Sequence, residues 1–119
     1  MNRINQENID VLQMNLSVFW YAKEEWEECC ESRNYNIAWG QDLKRQCHSS
    51  AVSLIVCAQQ FLSGLGVLPH DVESSLWEEE DPCFLKEEDA IAIAMGVYEA
   101  CFKGILVDLR VRSHCKEAA

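Results

Sequence analysis

Apolar residues recur along this chain at alternating steps of three and four, the period of a helix with one buried face. In the first stretch, roughly Gln6 to Arg33, Ile9, Leu12, Leu16, Phe19, Trp26 and Cys30 keep that step without Gly or Pro, and Lys23 is the only interruption. Asn34 to Asn36 reads as a turn. A second helix is predicted from Ile37 or Gln41 to Ser63, with Leu43, Cys47, Ala51, Leu54, Ala58, Phe61 and Leu65 as its stripe. Val52, Ile55, Val56 and Leu62 make its flanks apolar as well, which marks it as the most buried element. Gly64, Gly66 and Pro69 then supply stop signals, and Gly64 to Pro69 is the one candidate linker.

Asp71 to Glu79 predicts a short helix capped by Asp71 and ending before Asp81-Pro82. The last segment, about Lys86 to His114, sets Ile91, Met95, Tyr98, Phe102, Ile105 and Leu109 at helical spacing. Glu87, Glu88 and Asp89 fall in its first turn and Arg110, Arg112 and Lys116 near its end, both favourable for the helix dipole. Val107 to Arg112 alternates with the period of a strand, but no other segment offers it a partner, so the helical reading is kept. The expected fold is all-α: a single domain over residues 1–119, a bundle of three long helices plus a short one, with antiparallel neighbours. Helices near 25 residues span about 37 Å. That is long for a chain of this size and points to kinks or to a homodimer.

Composition changes the picture mainly through charge. Twenty Asp and Glu against ten Lys and Arg give a net charge of −10, which repels nucleic acid and anionic lipid and attracts basic proteins. Acidity also serves plain solubility, so charge alone does not choose a function. The seven cysteines are odd in number and include no C-x-x-C; thiols used as small apolar side chains in a reducing compartment explain them better than a disulfide framework. Residues 1–10 hold no apolar core of a signal peptide, and the charge-free run from Ser49 to Pro69 is interrupted by Gln59, Gln60, serines and glycines. A buried helix and a cytoplasmic, non-membrane protein are expected.

Two acidic patches are the candidate site. Glu24, Glu27, Glu28 and Glu31 share one helical face at i, i+3, i+4 and i+7, where like charges repel until a basic partner arrives. The second runs Glu73, Glu78, Glu79, Glu80 and Asp81, then Glu87, Glu88 and Asp89. Trp20, Tyr21 and Trp26 flank the first patch, Tyr35 and Trp39 follow it, and Trp77 abuts the second. Tryptophan beside carboxylate is the composition of a protein-binding hot spot, although Trp20 and Trp26 also fit the core; Trp77 is the tryptophan expected to be exposed.

Catalytic readings find less. Glu24-x-x-Glu27 and Glu25-x-x-Glu28 resemble the E-x-x-E half of the all-α nucleotide pyrophosphohydrolases of the MazG type, a resemblance that implies a divalent metal and nucleotide hydrolysis. The second half of that motif has only Glu78-x-x-Asp81, beside Pro82, to match it. Arg110-x-x-x-His114 is similar in spacing to the HEPN ribonuclease motif but lacks the polar residue after the arginine. There is no E-x-x-H pair for a di-iron bundle, no G-x-S-x-G and no phosphate-cradling glycine loop. Cys47-His48 and His114-Cys115 are adjacent residues that point about 100° apart on a helix and chelate poorly together.

The leading expectation is a small acidic binding or inhibitor protein that occludes a basic, nucleic-acid-handling protein surface through Glu24, Glu27, Glu28, Glu31, Trp77, Glu78, Glu79, Glu80 and Asp81. It expects no cofactor, no metal and no direct nucleic acid. A helical assembly module that dimerises by an apolar face is the alternative, and a metal-dependent nucleotide hydrolase the third.

Overall fold

The computed structural model describes residues 6–32, 36–78 and 81–105, and every regular element among them is helical. Helix α1 covers Gln6–Glu31, α2 Ile37–Phe61, α3 His70–Leu76 and α4 Glu87–Ala100. Short 3-10 turns at Ser63–Leu65 and Pro82–Phe84 bracket α3, and α4 runs into a π turn at Cys101–Ile105. None of the described helices is long and apolar enough to cross a membrane.

Local chemistry explains where these elements start and stop. Asn36, in extended conformation, opens α2: its side-chain oxygen accepts from the Trp39 amide at 3.1 Å. Gly66, at φ 66°, closes the 3-10 turn after α2 in the left-handed region open to glycine. Asp81 accepts from the Cys83 amide at 2.9 Å, and Pro82 follows it at the first position of the second 3-10 turn. The sequence placed the cap of α3 at Asp71; the helix instead begins at His70, with Pro69 before it and no side-chain cap. Proline fixes its own φ and enters the helix without help from a neighbouring hydroxyl or carboxylate.

Three helices share one core. Ile9, Leu12, Leu16, Phe19, Ala22 and Cys29 face inward from α1, and Leu43, Cys47, Ala51, Leu54, Ile55 and Ala58 from α2. The predicted α1 stripe holds through Phe19 and then shifts by one residue. Cys29 is buried and Cys30 exposed, because Ala22 rather than Lys23 continues the stripe beside α2. On α4 the shift is complete: Ala90, Ala94, Val97 and Ala100 are the buried residues, Ile91, Met95 and Tyr98 are half-buried flanks, and Phe102 is exposed. A face of alanines lets helix backbones approach closely, and the larger side chains then pack around the rim of the contact.

The helix directions correct a further expectation. α1 and α2 are antiparallel, since Glu28 and Ser32 meet Trp39 and Leu43 while Ser17 and Val18 meet Ser49 and Ser50. α4, however, runs parallel to α2: Lys44 pairs with Glu87 at 3.0 Å, and Cys57 lies close enough to Cys101 for the two thiols to interact. The connection over residues 62–86 is long enough to carry the chain back along the bundle, which a short loop could not do. α3 lies in this return. The Gln59 side-chain amide donates to the Leu76 carbonyl at 2.7 Å, and Val72 packs against Gly96 of α4. His48 lies 3.2 Å from the Leu85 carbonyl where the return ends. α1 is therefore antiparallel to both long partners, and Trp20 stacks on Tyr98 at 4.6 Å between ring centres.

Candidate functional site

This topology brings the C-terminal end of α1 and the N-terminal ends of α2 and α4 to one end of the bundle. Glu24, Glu27, Glu28 and Glu31 are exposed there on α1, and Glu87, Glu88 and Asp89 open α4 beside them. Lys44 of α2 sits between the two sets. Its ammonium pairs with Glu87 and lies 5.9 Å from the centre of the Trp26 ring, and the hydrogen bond and charge of Glu87 hold it above its ordinary pKa. Lys23, only 17% exposed, pairs with Glu27 at 2.6 Å and lies over the Trp20 ring. Arg45 pairs with Asp42 on its own helix. Glu27 of α1 and Glu87 of α4 thus both lie near Cys47, and Lys23, Lys44 and Arg45 are each paired with a carboxylate.

The helix dipoles treat the two sets differently. At the start of α4 three acids face the positive end of a helix, a favourable arrangement. At the end of α1 the acids face the negative end, and no basic residue lies in the last turn. The first patch is held against local physics; the second agrees with it.

The second patch named from sequence is divided between two places in the bundle. Trp77 is 62% exposed, but it follows directly on Leu76, which is bonded to Gln59, about 22 Å along α2 from Lys44. Glu78 is exposed beside it, Asp81 caps the 3-10 turn, and Glu79 and Glu80 lie outside the described residues. The aromatic that stands with the α1 acids instead is Trp39, 48% exposed at the start of α2 beside Glu25 and Glu28.

One side of the α1–α2 pair carries a groove. Its lower part, about 460 Å³, is lined by Ser17, Val18, Tyr21, Glu25 and, across it, Gln46, Ser49 and Ser50. Its upper part, about 300 Å³, is lined by Glu25, Glu28, Ser32, Trp39 and Leu43. Glu25 belongs to both. Tyr21 donates a hydrogen bond to the Glu25 carboxylate, and that bond together with the charge of Glu25 raises the phenol above its ordinary pKa. Glu25 and Tyr21 were visible beside the first patch, but only the pairing with α2 makes them walls of a groove. The periodic signal was present all the same: Tyr21, Glu25, Glu28 and Ser32 fall at i, i+4, i+7 and i+11, the side of α1 away from its buried stripe.

Among the described residues, no three His, Cys, Asp or Glu side chains converge as metal ligands. The paired E-x-x-E carboxylates of α1 lie along a solvent-facing surface, and Cys47 is buried while His48 turns to Leu85. Arg110, His114 and Cys115 lie outside the described residues. No family model, curated protein or solved structure matches the chain.

Proposed function

We propose that this protein binds and occludes a basic surface of a partner protein, of the kind that handles nucleic acid, with carboxylates occupying places that phosphates would fill. The convergence of the α1 and α4 acids at one end of the bundle, with Trp39 beside them, carries this reading. Its biological settings would be an immunity protein neutralising a nuclease toxin, or a phage-type inhibitor of a nucleic-acid-binding defence complex. Such a surface steers its partner electrostatically, so association is fast at low salt and slows as salt screens it.

Retention of partners from a lysate at about 50 mM and about 500 mM salt tests the proposal. Capture of a basic nucleic-acid-handling protein at the lower salt alone supports it; a partner held equally at both salts refutes electrostatic occlusion. Exposed Met14, Val18 and Tyr21, on one side of α1, support a second reading in which that apolar face assembles two copies. A chain of net charge −10 repels its own copy, and this disfavours the self-associated form.

A further inference from the structure

Resting on the occlusion reading, we infer that the α1–α2 groove is the docking site for a basic amphipathic α-helix of the partner. From Val18 to Ser32 the groove follows fourteen residue steps along α1 and its end, about 21 Å, which accommodates roughly four turns of a docked helix. Its walls combine two chemistries. Val18, Tyr21 and Trp39 are 52%, 65% and 48% exposed, so large apolar side chains stand in solvent where a helix's apolar stripe would cover them. Glu25 and Glu28 stand among them.

Charge decides what kind of helix fits. Among the described residues, no Lys or Arg lines either part of the groove. The cations next in sequence to its walls, among the described residues, are paired elsewhere: Lys23 with Glu27 and the Trp20 ring, Lys44 with Glu87 and the Trp26 ring, and Arg45 with Asp42. An entering Arg or Lys therefore meets carboxylates with no competing cation among the described groove residues, and flat rings on which a guanidinium can stack. An acidic helix, or a second copy of α1, would set carboxylate against carboxylate at the same positions.

The probe is a synthetic 18-residue helical peptide with Leu at helical spacing and Arg on the flanks, titrated into the full chain at about 50 mM salt and followed by amide chemical shifts. Shifts concentrated at Val18, Tyr21, Glu25, Glu28 and Trp39 are expected, with little response to a twin peptide bearing Glu in place of Arg. Glu25→Gln with Glu28→Gln should weaken binding about tenfold. Glu7→Gln with Asp10→Asn removes the same charge at the exposed start of α1, away from the groove and from both acidic sets, and should change it less than about twofold. Circular dichroism establishes that both variants are folded. Equal weakening by the two variants, equal binding of the two peptides, or groove shifts that depend on protein concentration without peptide would overturn the inference. A salt-sensitive lysate partner kept by Glu25→Gln with Glu28→Gln but lost on Glu88→Gln with Asp89→Asn would refute the groove and leave occlusion standing; a salt-indifferent partner would refute occlusion itself.

Discussion

If the acids at the end of α1 serve binding at the expense of the fold, neutralising them must stabilise the protein. The perturbation is Glu24→Gln, Glu27→Gln, Glu28→Gln and Glu31→Gln together, which keeps shape and removes charge. Five like-charge contacts vanish, Glu24 with Glu27 and Glu28, Glu31 with Glu27 and Glu28, and Glu25 with Glu28, each costing about 0.2–0.5 kcal/mol. Glu28 and Glu31 also stand at the negative end of α1, where each charge costs about 0.3–1 kcal/mol at low ionic strength. Against this, the Lys23–Glu27 pair is lost, worth about 0.3–0.5 kcal/mol. The net gain is about 1–4 kcal/mol. A domain of this size unfolds with an entropy near 0.25 kcal/mol per kelvin, so the melting temperature should rise by about 4–16 °C. Thermal unfolding by circular dichroism at about 20 mM and about 500 mM salt reads this directly, and the gain should shrink at the higher salt, where the Debye length falls to a few ångströms. A variant that melts at or below the parent at low salt, or a gain that ignores salt, would show that these acids carry no electrostatic cost.

Three further outcomes follow from the packing. Ala94→Leu places a large side chain in the closely packed alanine face of α4 and should destabilise by about 1–3 kcal/mol, seen as a lower urea midpoint; an unchanged midpoint would mean that α4 does not meet the core along that face. Asn36→Ala removes the side-chain acceptor from the Trp39 amide and should lower stability by about 1 kcal/mol, largely restored by Asn36→Asp. Burial raises the thiols of Cys47 and Cys57 to about 11 and of Cys101 to about 12, from an ordinary value of 9.0. The folded state thus favours their neutral form, so this contribution to stability is complete below about pH 9 and is lost as pH rises through 11 and 12. Among the described thiols, maleimide labelling mapped by mass spectrometry should modify exposed Cys30 first, then Cys83, whose thiol is raised by its hydrogen bond to Asp81, and buried Cys29, Cys47, Cys57 and Cys101 last; early labelling of Cys57 would contradict its burial.

Helix existence was legible because periodicity is local. The spacing of Ile9, Leu12, Leu16 and Phe19, or of Leu43, Cys47, Ala51 and Leu54, depends on one helix and on nothing across the core. Phase was less legible where a helix is apolar on several sides. In α4 the bulk of Ile91, Met95 and Tyr98 suggested the inner face, yet the alanines and Val97 took it, because closeness of approach to α2 was absent from any count of hydrophobicity along one helix.

What the sequence by itself determined was the all-α class, the long helices and their turn at Asn36, the acidic balance, and a first patch of carboxylates whose spacing fixes a common face. Only the tertiary structure decided direction and neighbourhood. The return through residues 62–86 set α4 parallel to α2 and brought Glu87 to Lys44, while leaving Trp77 far along the bundle. It also turned Trp39 and Glu28 into opposite walls of one groove. Spacing within a helix follows from 3.6 residues per turn, but the meeting of side chains from different helices depends on a long connection and on which faces pack, and these are settled by the whole core at once.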